Sequence, residues 1–221
     1  YLTRMRLLVA IKAEAAIPFI HKSLELGRKI VVFHDYNEGG GTSPFDLKFP
    51  ADFELTTKVG GKEKKVNARE LYQEFLARNP YVKELDFEDY GSPINAITRE
   101  FPTAYVYNGT IPNKKREEAK RVFNEDGSGR NIIIVQSAAG EAGISLHDTT
   151  GKHQRVLLNL GMPVRPTTAL QEEGRIYRVG QKSDAIFRYM NTGTNWERWT
   201  FASKIAERSG TAENLAMGDQ A

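Results

Sequence analysis

At 221 residues and 40% hydrophobic content the chain can bury the core of one large domain, and 27% charged residues is ordinary for a protein in water. A net charge of +3 permits contact with nucleic acid without demanding it. The absence of cysteine excludes a disulfide framework and a thiolate metal site, and no stretch reaches the roughly 18 to 20 apolar residues of a membrane span. Residues 1–10 lack the long apolar run and cleavage site of a signal peptide, and the chain does not begin with Met. The expectations are a longer parent chain and an intracellular address, in cytoplasm, nucleoid or nucleus.

Taken in order, residues 3–26 carry an Ala- and Leu-rich pattern that predicts a helix stopped by Gly27. Residues 29–34 (KIVVFH) predict a buried strand. A Gly-rich loop follows over 38–44, and residues 38–100 read as an insertion. Within it, 53–66 predict a hairpin turning at Gly60-Gly61. Asn67 and Glu70 form a capping-box pattern for a helix through Arg78, with Leu71 and Phe75 on one face. Ser92-Pro93 opens another helix. Residues 104–107 predict a strand ended by Asn108-Gly109. Residues 112–123 predict a helix with Ala119, Val122 and Phe123 on its apolar face and a Glu117–Arg121 pair outside. The strongest strand signal is 131–136 (NIIIVQ), followed by a strand over 155–160 (RVLLNL), a helix over 167–178 and a last strand over 185–190. Strands alternating with helices predict an α/β fold, a parallel sheet with helices on both faces. Ligands of such sheets sit at the carboxyl ends of the strands, so the loops after Phe33, Gln136 and Leu160 are the places for a site.

Three segments carry chemistry. In 171–181 (QEEGRIYRVGQ), Arg175 and Arg178 are three apart and are expected on one helical face. Arg suits a grip on phosphate oxygens because its planar fork binds them bidentately and keeps its charge. The flanking Gln171, Gly174 and Gly180-Gln181 argue against a plain solvated face. In 136–148 (QSAAGEAGISLHD), small residues after a strand let backbone N–H groups approach a ligand, although a loop with only a packing role stays open. Gly109-Thr110 precedes a helix bearing Lys114, Lys115 and Arg116, and a helix N-terminus there suits a phosphate, with a solvated face as the alternative.

The segment 171–181 resembles motif VI of superfamily 2 helicases and translocases: Gln or His, two residues, Gly-Arg, two residues, Arg. Its trailing Val-Gly-Gln resembles the Swi/Snf-type branch. Residues 136–148 resemble motif V, 29–34 the strand of motif IV, and Tyr107-Asn-Gly109-Thr110 with Arg116 the family's Gly-containing turn and Arg-bearing helix. The resemblance covers 28–34 and 104–190 and fails across 38–100. The tail, from Phe201-Ala-Ser to Gly218-Asp219, loosely resembles the strawberry-notch subgroup. An ordinary amphipathic helical extension over 195–221, with Trp199 in the core, is the other reading of that tail.

The resemblance implies a three-layer RecA-like (P-loop NTPase-like) C-terminal lobe over 1–221. It implies that Arg175 and Arg178 are arginine fingers toward ATP held by an N-terminal RecA-like lobe, with Mg²⁺ held mainly by that lobe. Gln171 would couple the ATP and nucleic-acid sites, and Gly143 and Ser145 would face the ATP ribose and the adjoining lobe. Ser145 stands where Asp or Asn is usual, so a weaker or different contact is expected there. Ser137, Gly109, Thr110 and Arg116 would contact the nucleic-acid backbone, of DNA with RNA not excluded.

The sequence contains no Walker A loop, Gly-x-x-x-x-Gly-Lys-Ser/Thr, and no acidic box in register for Mg²⁺. The four histidines stand singly, so no metal site is expected. His34 and His147 read as core or surface residues, with a place in the cleft as the alternative, and Glu172-Glu173 as helix surface. Alone, the chain is expected to be inactive. A non-catalytic interaction module keeping the lobe fold stays open as the alternative. An unrelated α/β nucleotide-binding enzyme would need a phosphate loop of its own.

Overall fold

The fold is built on β1 (Lys29–His34), whose six residues are all buried. In this computed structural model, which describes residues 2–38, 43, 45–140, 143–161 and 166–200, β1 is the middle of a five-stranded sheet. Its partners are β5 (Ile132–Gln136) and β6 (Arg155–Asn159), with Ile30 opposite both Ile132 and Val156. β4 (Tyr105–Tyr107) and β7 (Ile186–Tyr189) form the edges, and every pairing in this sheet is parallel. Val, Ile, Leu and Phe fill the middles of the three inner strands because both faces are covered.

Alternation along β1 divides the core. Ile30 and Val32 face α1 (Leu2–Glu25) and α3 (Pro93–Glu100), packing on Val9, Ala13, Ala16, Ile20 and Ile97. Val31 and Phe33 face α4 (Asn113–Asn124), packing with Ala119, Phe123, Leu146 and Ile176. The result is the three-layer α/β architecture that the sequence predicts. Lys29 closes the end of α4: its Nζ donates to the carbonyls of Phe123 at 2.6 Å and Glu125 at 2.8 Å. Burial, aided by Arg155, brings the Lys29 ammonium down to about 8.

Between β1 and α3 the chain leaves the sheet. β2 (Glu54–Val59) and β3 (Lys62–Asn67) form the predicted hairpin, turning where Gly60 and Gly61 take positive φ. Asn67 caps α2 (Ala68–Arg78) by accepting from the amides of Arg69 and Glu70. Leu71 and Phe75, on one face as expected, line a cavity of about 770 Å³ with Phe45, Phe49, Leu55 and, from α1, Leu7 and Leu8. The chain returns at Ser92, whose hydroxyl caps α3 and donates to the Asn37 carbonyl at 2.9 Å. Ala96 and Ile97 of α3 belong to the sheet core.

Three expectations are corrected. The helix expected over 167–178 is α6 (Pro166–Glu173), which stops before Gly174. Glycine is a poor helix former, and the bonds tighten there to Arg175 N–H on the Glu172 carbonyl and Ile176 N–H on the Glu173 carbonyl. The turn carries Ile176 into the core, so Arg175 and Arg178 do not share a helical face. On α4, Arg121 pairs with Glu118 at 2.8 Å and Glu125 at 3.0 Å rather than with Glu117, which pairs with Lys120. Trp199, in α7 (Asn195–Thr200), is 59% exposed and not a core residue. The likeness read in residues 201–221 and the glycines of the loop over 39–42 lie outside the described residues.

α7 is held to α1 by an ion pair between Lys12 and Glu197 at 2.8 Å, with side chains 3% and 1% exposed. Glu197 also accepts from the amide and hydroxyl of Thr192. Burial alone would raise the Glu197 carboxyl, but Lys12 and Thr192 hold it below its usual value. Removing one partner leaves the other charged and buried, so Lys12→Met should cost about 3–5 kcal/mol in urea unfolding at pH 7. The double variant Lys12→Met/Glu197→Leu should recover most of that loss. A single-variant cost below about 1 kcal/mol would refute the pair's role.

Candidate functional site

The segment after β5 and the segment after α6 meet at Ser145. Arg178 Nη1 donates to Ser145 Oγ at 3.2 Å, and Ser145 Oγ lies 2.9 Å from His147 Nδ1. The Ser145 carbonyl accepts from Asn124 Nδ2 at 2.9 Å, and the Leu146 amide donates to the Arg175 carbonyl at 2.9 Å. Gly143, just upstream, takes φ +80°, a conformation that favours glycine. Burial, then the charges of Arg178 and Arg155, lowers the His147 pKa and so favours its neutral ring. His147, read from sequence as core or surface, is a half-buried member of this cluster.

Arg175 and Arg178 differ in setting. Arg175 is 7% exposed and engaged with its neighbours. Arg178 is exposed, and its amide donates to Gln181 Oε1 at 3.1 Å, which fixes the turn beneath it. Tyr177 and Val179, at 64% and 103% exposure, flank it and line an open pocket of about 630 Å³ with Arg178 and Gln181. Gln171 is exposed on α6.

Glu172 is not helix surface. It is 4% exposed and accepts from Asn159 Nδ2 at 2.6 Å. Asp35 at the end of β1 adds negative charge against it, and Ser137, the first residue of α5 (Ser137–Gly140), acts in the opposite sense. Burial pushes its carboxyl up to about 7. Glu173, half-buried, accepts from the Tyr189 hydroxyl of β7 at 2.6 Å. The sequence held the signal: Ala169, Glu172 and Ile176 follow the three-to-four spacing of an inward stripe, and the outer two are buried.

The other candidates lie along the same carboxyl edge of the sheet. Ser137 is 8% exposed, and its hydroxyl donates to the His34 carbonyl at 3.3 Å. His34 is buried, and burial lowers its pKa to about 4. Gly109 and Thr110 are exposed, in a turn held by Asn108 Oδ1, which accepts the Thr110 amide at 3.1 Å and hydroxyl at 2.7 Å. Asn37 joins this turn to β5: its Oδ1 accepts from Asn108 and its Nδ2 donates to Gln136 Oε1. Arg116 lies over the Tyr107 ring at 5.5 Å, with its Nε buried and unbonded. Among the described residues no group of three or more His, Cys, Asp or Glu is placed to hold a metal ion.

Residues 113–220 match the family described as the C-terminal domain on Strawberry notch homologue, a helicase C-terminal domain. The DNA repair and recombination protein RAD54 of Saccharomyces cerevisiae is 26% identical over 163 residues, 69% of this chain and 18% of that protein. These likenesses support a C-terminal lobe of a superfamily 2 helicase or translocase. Transcription termination factor 2 of Drosophila melanogaster is 34% identical to the lobe over 92 residues, 41% of this chain and 8% of that protein. A solved structure, the C-terminal part of the Fun30 ATPase domain, aligns over 93% of the lobe and 54% of that chain with a TM-score of 0.51 and 12% identity, a likeness of fold. The lobe spans less than a fifth of the length of the curated relatives it matches.

Because the Glu172 value lies above that of an unfolded glutamate, its neutral form contributes stability in full below about pH 4.3 and loses it as pH rises through 7. Glu172→Gln stays neutral throughout. Between pH 5 and pH 7 the lobe should therefore lose stability relative to Glu172→Gln, by no more than about 1.4 kcal/mol per pH unit. Urea midpoints at several pH values measure this, and a pH-independent difference would contradict it.

Proposed function

We propose that this lobe is the second motor lobe of an ATP-dependent DNA helicase or translocase, with Arg178 as the arginine finger that reaches a nucleotide held by an N-terminal RecA-like lobe. The observation that carries the reading is Arg178 itself. Its guanidinium is exposed, is steadied through one nitrogen by Ser145, and keeps its remaining donors for phosphate oxygens. The exposed Tyr177 and Val179 beside it suit a surface that another lobe covers. ATP, when bound, supplies the phosphoryl group, and the donor set here fits its phosphates. Arg178 would stabilise the charge that develops on transfer, and Ser145 with Gln181 would hold its aim. Arg175, buried in the same turn, would set the position of that turn, and Gly143 and Gln171 would complete the nucleotide-facing edge. The described residues offer no metal cluster, so Mg²⁺ is assigned to the other lobe.

Gly109, Thr110, Arg116 and Ser137 would serve a nucleic-acid backbone along the same edge, Ser137 only after its hydroxyl leaves the His34 carbonyl. DNA is preferred because the relative named for DNA repair and recombination aligns over the largest share of the lobe, and an intracellular address follows from such a partner. The excursion within 38–100 is read as an insertion on the lobe, and 195–221 as its extension.

In the full-length protein, Arg178→Ala should lower ATP turnover by about 10³-fold while DNA affinity changes little. Unchanged turnover would instead favour a non-catalytic interaction module. Arg116→Ala should weaken DNA binding alike for unrelated sequences and reduce the slope of log affinity against log salt by about one, read by fluorescence anisotropy. An unaltered slope would remove Arg116 from the interface.

A further inference from the structure

The excursion between β1 and α3 does not close onto the lobe. Leu47, Leu55, Leu71 and Phe75 line the cavity between it and α1, yet each is 37% to 49% exposed. Phe45 stacks on Phe75 with ring centroids 6.1 Å apart, and Phe49 meets Tyr72 edge-on at 5.7 Å. The Tyr72 hydroxyl donates to the Phe45 carbonyl. The apolar floor is therefore pre-formed and open, the arrangement of an interaction surface. We propose that this groove receives an amphipathic helix of a protein partner, with its apolar face on the floor and acidic side chains flanking that face. Such docking is independent of the motor reading above.

The charges around the groove point to the chemistry of the partner. Directly opposite residues of an antiparallel pair share a face, as do alternate residues along each strand. Leu55, which lines the groove, therefore shares its face of the hairpin with Val66, Thr57, Lys62 and Lys64, and no acid stands on that face. On the other face Lys65 pairs with Glu54 at 3.2 Å, and Lys58 stands opposite Glu63. Glu74, in the groove lining, is matched by Arg78 at 3.4 Å. Arg4 lines the groove from α1, with its guanidinium over the Trp196 ring at 6.0 Å. Positive charge thus borders the floor from α1 and from the hairpin, and Asp or Glu beside an apolar stripe complements both. Shape then selects the occupant. A small apolar ligand binds where most of its surface is covered, whereas half-exposed walls suit a helix laid along them. α2, one of the walls, runs for 11 residues, which gives a helix of about three turns a side to pack on. A second copy would bring two basic rims together about a two-fold axis, and like charges there oppose it. A nucleic-acid backbone would match the lysines and leave Leu71 and Phe75 without a use.

The test uses the full-length protein and two fluorescein-labelled helical peptides of about 14 residues, each with a leucine stripe at helical spacing. One peptide carries Glu beside the stripe and the other Lys. By fluorescence anisotropy the Glu peptide should bind about tenfold more tightly than the Lys peptide. Lys62→Glu/Lys64→Glu should reverse that preference. Leu71→Asp/Phe75→Ser should weaken binding of the Glu peptide about tenfold or more. All four positions are exposed, and urea midpoints close to that of the unmutated protein check that each variant folds. Equal affinity for the two peptides, no binding of the Glu peptide, or a preference indifferent to the lysine reversal would overturn the proposal. A dimer in sedimentation that Leu71→Asp/Phe75→Ser dissolves would overturn it in favour of a second copy. Loss of oligodeoxynucleotide affinity in Lys62→Glu/Lys64→Glu, with peptide binding unaltered, would overturn it in favour of nucleic acid.

Discussion

The arrangement depends on β1 being enclosed on every side. It is hydrogen-bonded along both edges by β5 and β6 and covered on both faces by helices. A strand so enclosed has no freedom to shift, because slipping by one residue would turn Val31 and Phe33 toward the wrong core. Its carboxyl end is therefore a fixed point. His34, Asp35 and Asn37 leave from it, and the candidate residues of β4, β5 and β6 are placed by their registers to this strand.

Polar groups at that end must be satisfied without bulk water, and this gives the edge its connectedness. Asn37 joins the Asn108 turn to Gln136, and Ser92 ties the return of the long excursion to the Asn37 carbonyl. Asn159 meets Glu172 on the other side, and the Ser137 hydroxyl meets the His34 carbonyl. An unpaired amide or carboxyl there would cost about 1–3 kcal/mol, so each link constrains the segments on both sides of it. The sheet supplies rigidity, and the side-chain network passes it to loops that have no regular structure.

Most of the fold was legible in the sequence. The runs KIVVFH, NIIIVQ and RVLLNL announced the three central strands because strands buried on both faces read as near-continuous apolar runs. The hairpin was legible because its turn needs two residues at positive φ, which Gly60 and Gly61 supply. Less was legible at the site. The motif spacing brought attention to Arg178 and Ser145, which do touch, but the Gly174 break in α6 was outweighed by the apparent pairing of two arginines. Glu172 was missed because its partner, Asn159, is 13 residues away in the chain, and periodicity reports only which face of an element is buried. His147 stayed undecided between the cleft and a core or surface place for a related reason: its setting depends on a rotatable hydroxyl two residues away and on a guanidinium from another segment.

The break at Gly174 also explains how two arginines in one motif come to differ. Had α6 continued, Arg175 and Arg178 would lie on one face, a turn apart. The tight turn instead sends Ile176 into the core, carries Arg175 inward with it and leaves Arg178 outside. A guanidinium engaged within the protein contributes rigidity, since releasing it would leave a buried charge uncompensated. An exposed one, steadied by a single serine, can exchange water for phosphate at little cost in reorganisation. In the proposed motor Arg175 therefore holds the turn, Arg178 makes the contact, and the poor helix propensity of one glycine divides the two roles.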